Sequence, residues 1–218
     1  GSLLARYDYL SKDTGAFHQH AVIASPSAVY HYDVRIQKLY RLSQGLEPLT
    51  DIQGLSAFFR KNVTGDIRTD DTVLLNKGVH GVFDTIYNKA YFTFEKTIPF
   101  NYTSRTSLGG GSYLYLNPPD EFFELYRVGQ TLTINNQAVY IEAIDIPNNT
   151  ITLNATINEG RTVHIGFTIA YNEFLKAFEG FYSFTPTIYI GTGKRLFSAN
   201  HYDTSNSIYE HNIGNFGE

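Results

Sequence analysis

The sequence predicts an all-β fold: antiparallel, propeller-like blades, about two of them in a partial propeller, with a small β-barrel-like module inserted. Three observations predict it. Tyr and Phe supply the aromatic content of 15%, and such residues suit a pleated, half-buried strand. Short apolar or alternating runs recur between polar turns along the chain. Finally, one phrase repeats: an aromatic, then Asp or Asn, a spacer, Lys and another aromatic. It reads Tyr32-Asp33-Val34-Arg35-Ile36-Gln37-Lys38-Leu39-Tyr40, then Phe83-Asp84-Thr85-Ile86-Tyr87-Asn88-Lys89-Ala90-Tyr91. A looser copy is Tyr171-Asn172-Glu173-Phe174-Leu175-Lys176-Ala177-Phe178. Each copy joins two aromatic strand segments across a turn, so the phrase marks repeated hairpins and its Asp and Lys read as turn residues.

The elements follow in order. Ala21-Val22-Ile23-Ala24 is an apolar run, Ser25-Pro26-Ser27 a turn, and Ala28 to Tyr32 alternates into the first phrase. Beyond Leu42, Asp51 is placed to cap a helical turn over Ile52 to Arg60, because Leu55, Phe58 and Phe59 recur at helical spacing. Residues 62–77 are polar and read as an exposed connection, and Val79 to Phe94 is the second hairpin. Residues 97–112, with Gly109-Gly110-Gly111, have the composition of a flexible link. Two tight turns, at Asn135-Asn136 and Pro147-Asn148-Asn149, then separate short alternating runs; residues 112–165 thus read as a compact module of short strands. After it the aromatic style resumes at Gly166. Gly191-Thr192-Gly193-Lys194 forms a hairpin turn, and Ser207 to His211 is the last strand. The expected division is a discontinuous sheet region, 1–96 and 166–218, interrupted by the module at 97–165.

Composition excludes several classes of function. The formal net charge of −4 gives no electrostatic basis for coating nucleic acid. With no Cys, disulfide and thiolate chemistry are absent. No run of about 18 apolar residues is present, so no helical membrane span is expected. Gly1-Ser2 stands where an initiator Met is expected, which reads as a cloning remnant on a piece of a longer polypeptide.

Candidate sites are few. His18 and His20 share a face if their segment is a strand, a spacing able to hold a metal, but no third ligand stands nearby in sequence. Asp66, Asp70 and Asp71 lack the Gly and Glu positions of an EF-hand loop and read as a solvated acidic loop. Gly193-Lys194 is followed by Arg195 and a strand, so the phosphate-loop pattern fails. Asp120, Glu121 and Glu124 lie beside Phe122, Phe123 and Tyr126, a set from which a carboxylate pair for glycoside hydrolysis can be imagined. The absence of Trp counts against a sugar groove. Asn62, Asn101, Asn148 and Asn154 stand in glycosylation triplets of the kind that Asn- and Thr-rich turns produce by chance. No catalytic, cofactor or metal residue is assigned.

The C-terminal segment is distinctive. Ile169-Ala170-Tyr171-Asn172-Glu173, Ala177-Phe178-Glu179-Gly180-Phe181-Tyr182-Ser183-Phe184-Thr185-Pro186, Ile208-Tyr209-Glu210-His211-Asn212 and Gly214-Asn215-Phe216-Gly217 together resemble the tail muzzle proteins of crAss-like bacteriophages. The segment Gly81-Val82-Phe83-Asp84 is similar to others in the same proteins. The resemblance implies virion architecture: a homo-oligomeric ring at the distal end of the tail that closes the channel until infection, with other tail proteins as partners. It implies no enzyme activity, no cofactor, no metal and no specific nucleic-acid binding. The competing class is a glycan-binding or adhesion module of a bacterial surface protein.

Overall fold

Alternating burial along aromatic strands builds this protein as a stack of antiparallel sheets. The computed structural model describes residues 11–63, 78–99, 104–106, 112–115, 126–134, 137–148, 150–154, 162–182, 184–199 and 207–213. The first sheet is a meander of β1 (Val22–Ala24), β2 (Val29–Asp33), β3 (Lys38–Leu42) and β4 (Leu46–Pro48), hydrogen-bonded in that order. Ile23, Tyr30, Tyr32 and Leu39 are buried on one of its faces. Two short helices follow, α1 (Leu49–Ile52) and α2 (Ser56–Asn62). Asp51 therefore lies inside α1 rather than capping the helix. Gly54, at φ +72°, interrupts the expected single helical segment, because only a left-handed residue turns the chain there.

The central sheet begins with β5 (Gly78–Asp84) and β6 (Lys89–Pro99). It continues through β7 (Ser104–Thr106), β8 (Ser112–Tyr115), β9 (Thr131–Ile134), β10 (Gln137–Asp145), β11 (Thr150–Leu153), β12 (Thr162–Asn172) and β13 (Ala177–Tyr182). Strands β6 and β12 run in unbroken antiparallel register from Lys89↔Asn172 to Pro99↔Thr162. The other edge of β12 is shared: β13 pairs with Thr168 to Asn172, while β9 takes Val163 and His164. From there the ladder runs β9-β10-β11-β8-β7. Among the described residues, the strands expected to form a barrel-like module do not close on themselves; they extend the central sheet. The physical reason is the free hydrogen-bonding edge of β12 beyond the end of β13, which β9 satisfies.

The third sheet is β14 (Ile188–Gly191), β15 (Leu196–Ala199) and β16 (Ile208–His211). It is separate from the central sheet, whereas the sequence had placed residues 166–212 in one sheet. The side chains of β6 divide between the two neighbouring layers. Phe92 and Phe94 point to the first sheet, where Phe94 meets Tyr32 with ring centroids 4.8 Å apart and Phe59 of α2 at 5.3 Å. Tyr91 and Thr93 point the other way, and Thr93 Oγ1 lies 2.7 Å from the Tyr189 hydroxyl of the third sheet. The main core lies between the first and central sheets, with a smaller one of Val82, Tyr91, Ala170 and Leu196 under the third.

Candidate functional site

The repeated phrase folds three times into the same turn. In register, Asp33 faces Lys38, Asp84 faces Lys89 and Asn172 faces Ala177, so each loop holds four residues. The fourth is left-handed every time: Gln37 at φ 56°, Asn88 at 52° and Lys176 at 53°. The Asx side chain explains the preference, because its oxygen accepts backbone N–H groups two and three residues on. Asp33 Oδ1 accepts from the Arg35 amide at 3.0 Å. Asp84 Oδ1 accepts from Ile86 at 2.8 Å and Tyr87 at 3.3 Å, and Asn172 Oδ1 from Phe174 at 2.8 Å and Leu175 at 3.0 Å. Lys38 and Lys89 are strand residues rather than turn residues. Their ammonium groups lie 2.5 Å from Asp51 and 2.5 Å from Glu179, and so tie each hairpin to another element.

The turns also join the sheets. Glu173 Oε1 accepts the hydroxyls of Ser25, Ser27 (2.9 Å) and Tyr30 (2.7 Å), and so fastens the first sheet to the β12–β13 turn. On the opposite face, Asp84 Oδ2 accepts from Asn212 Nδ2 at 2.7 Å and the Thr85 hydroxyl donates to the Gly193 carbonyl. His80 Nε2 lies 2.5 Å from the Pro186 carbonyl. Electrostatics follow from these contacts. Burial pushes the Asp33 carboxyl up, but hydrogen bonds from the Arg35 side chain and the Gly15 and Arg35 amides outweigh it and hold Asp33 below its ordinary value. Burial likewise opposes charge on Lys89 and Glu179. Their hydrogen bond to each other, helped by Asn172 and Tyr182, keeps Lys89 above and Glu179 below the usual range.

Between the central and third sheets lies a buried polar layer of His80, Thr93, Glu95 and Thr168, with the partly buried Tyr189 beside it. Glu95 is 3% exposed, and its Oε2 has no hydrogen-bond partner. Its cross-strand neighbours on both sides are glycines, Gly78 and Gly166, which leave room for the carboxyl. A Cβ on Gly166 would come within 2.9 Å of the Phe94 carbonyl and 3.0 Å of Glu95 Cγ. Burial raises the Glu95 carboxyl well above the usual range, so it stays protonated where surface carboxylates ionise. Sequence reading missed both Glu173 and Glu95. A carboxylate following the apolar run Ala90 to Phe94 was the only available signal for Glu95, and none marked Glu173.

The sequence-derived candidates disperse. His18 and His20 do not lie on a strand: His20 belongs to a 3-10 turn, Gln19–Ala21, with His18 buried and His20 exposed. Among the described residues no group of three His, Cys, Asp or Glu is arranged to hold a metal ion. His31 stacks on Tyr40, with ring centroids 5.2 Å apart, and His211 lies 2.7 Å from the Ser198 hydroxyl; burial lowers both imidazoles. Gly191 to Lys194 is the β14–β15 turn, with Gly193 at φ +79°. Asn62 is buried and donates to the Phe58 carbonyl at 3.0 Å, while Asn148 and Asn154 are exposed. Asn101, the acidic group Asp66, Asp70 and Asp71, the Gly109–Gly111 run, and Asp120, Glu121, Glu124, Phe122 and Phe123 lie outside the described residues. Tyr126 is buried. No described helix is long and apolar enough to cross a membrane.

What remains is a surface made of sheet faces and turns, an arrangement that can pack against partners. No curated protein matches the sequence. A family model does: that of the Crassvirus muzzle protein, over residues 1–105. The match takes in the first sheet, both helices, β5 and β6, and with them the first two copies of the phrase. The third copy and the C-terminal segment that carried most of the sequence resemblance lie beyond it. Residues 1–105, just under half of the chain, are thus similar to the Crassvirus muzzle protein, a component of the phage virion tail.

Proposed function

We propose that this chain is a structural part of a tail protein whose copies form a ring closing the distal end of the tail channel. The family match over residues 1–105 carries this reading. The architecture supports it. Two four-stranded meanders, β1-β2-β3-β4 and β5-β6-β12-β13, and the three-stranded third sheet stack face to face as successive blades of a propeller do. Their leading strands β1, β5 and β14 lie beside one another, as strands nearest a propeller axis would. In this reading residues 1–96 and 166–218 form the propeller-like region, and 97–165 is an insertion that reaches away from the turn end. The role is architectural: the chain contributes packed sheets and contact surfaces, and its partners are further copies and other tail proteins.

The test is to label intact virions with an antibody raised against the 218-residue chain and image them by electron microscopy. Label confined to the distal tail tip is expected. Label on the capsid, or none on intact or opened particles, refutes the placement.

A further inference from the structure

Singly exposed apolar residues are common on any protein, but a set gathered at one end of a molecule marks a contact surface. The pairing of the turns gathers such a set here. Lys89 faces Asn172 across β6 and β12, so the β5–β6 and β12–β13 turns leave the central sheet at the same end, and the Glu173 amide donates to the Asn88 carbonyl at 2.9 Å. The Thr85 hydroxyl brings in the β14–β15 turn through the Gly193 carbonyl, and Asn212, just past β16, donates to Asp84. Large apolar side chains stand out at the tips: Ile86 is 51% exposed, Phe174 84%, Leu175 60% and Ile213 70%. Asp84 and Asn172 accept the amides of Ile86, Phe174 and Leu175, so the backbone that carries these tips is fixed. Charge divides at the same end. Its carboxylates are engaged: Asp84 by amides and Asn212, Glu173 by three hydroxyls, Glu179 by Lys89 and Glu210 by Arg195. Lys176 and Lys194 are exposed, and among the described residues neither ammonium meets a carboxylate. This end is therefore apolar and cationic, on a chain whose formal net charge is −4.

We propose that this turn end is a lipid-binding surface, whose four apolar tips enter the boundary between headgroups and acyl chains of an anionic bilayer while Lys176 and Lys194 meet the headgroups. Two features favour lipid over a protein partner. The tips come from three separate elements, the β5–β6 turn, the β12–β13 turn and the segment after β16, and Phe174 is the most exposed large apolar side chain among the described residues. A fluid boundary accepts such tips without a matching cavity, whereas a protein partner must supply a pocket for each. The charge is the second feature. An anionic headgroup layer complements lysines that lack carboxylate partners, and binding of this kind grows with the apolar area inserted and with the number of basic residues at the surface. The proposal stands on the turns and their charges and does not depend on the ring reading.

Flotation of the 218-residue chain with vesicles of phosphatidylcholine and phosphatidylglycerol tests it, with vesicles of phosphatidylcholine alone as the reference. Binding to the mixed vesicles is expected, and binding roughly tenfold or more weaker to the reference. Phe174→Ser combined with Leu175→Ser should weaken binding by roughly tenfold or more. Lys176→Gln and Lys194→Gln should each weaken it about fivefold. Thermal melting by circular dichroism checks that the variants fold. Because the chain has no Trp, Phe174→Trp installs a single reporter, whose emission should shift to the blue on the mixed vesicles. Ile36→Trp, on the β2–β3 turn at the far end of the first sheet, should not shift. A wild-type chain that does not float, a Phe174→Ser, Leu175→Ser variant that floats as the wild type does, or an equal blue shift from both reporters overturns the proposal. Self-association through Phe174 without vesicle binding also overturns it, and assigns the surface to a protein contact. Tip labelling of virions by a chain that ignores vesicles would leave the ring reading standing and remove this one; vesicle binding without tip labelling would do the reverse.

Discussion

Replacing Glu95 with Gln should remove a pH dependence of stability that the wild-type chain carries. The carboxyl is buried between the central and third sheets, its Oε2 lacks a hydrogen-bond partner, and burial raises its folded-state value well above the ordinary one. At pH below the unfolded-state value, near 4.3, Glu95 is protonated in both states and does not shift the balance. Above that value the unfolded chain releases the proton while the folded chain keeps it, so stability falls as pH rises. The fall continues until the folded-state value is reached, at about 1.4 kcal/mol per pH unit. Glu95→Gln keeps the shape of the protonated acid and cannot ionise. Urea unfolding of both proteins at half-unit steps from pH 4 to pH 8 measures the effect. The two should be close in stability at the acid end, with the variant increasingly the more stable toward neutrality. Parallel stability curves across this range would show that Glu95 ionises in the folded protein without penalty, and would refute the reading of the buried layer.

Three further perturbations probe the stack. Phe94→Ala removes a fully buried ring that meets Tyr32, Phe59 and Phe167, and should cost about 3–5 kcal/mol in urea unfolding. Asp84→Ala deprives the Ile86 and Tyr87 amides and Asn212 of their acceptor. A loss of about 1–3 kcal/mol is expected, with faster hydrogen exchange in both the β5–β6 turn and β16; exchange confined to the turn would deny it a role in docking the third sheet. Glu173→Ala leaves the hydroxyls of Ser25, Ser27 and Tyr30 without their shared acceptor, and should speed amide exchange in β1 and β2 more than in β14 and β15.

The hairpins were legible because their causes are local. An Asp or Asn that accepts the amides two and three residues on dictates a turn wherever it falls between strand-forming runs, so Asp33, Asp84 and Asn172 could be read in order. The helical turn expected over Ile52 to Arg60 met α2 and the end of α1, but the break between them was not read, since Gly54 acts through a single backbone dihedral. The lysines of the phrase were assigned to turns because their spacing suited one; their partners Asp51 and Glu179 are 13 and 90 residues away. Histidines 18 and 20 looked like a strand pair until the 3-10 turn separated them.

By itself, then, the sequence determined the β class, the strands with strong alternation, the three Asx turns and the resemblance to a muzzle protein. These depend on residues within a few positions of one another, or on patterns of residue type. Only the tertiary structure decided that strands 188–211 form their own sheet, that the inserted strands extend the central sheet along the free edge of β12, and that Glu95 is buried between layers. Each of these depends on which faces and edges meet across long stretches of chain, and burial of apolar area, being non-directional, does not encode that choice in any short segment.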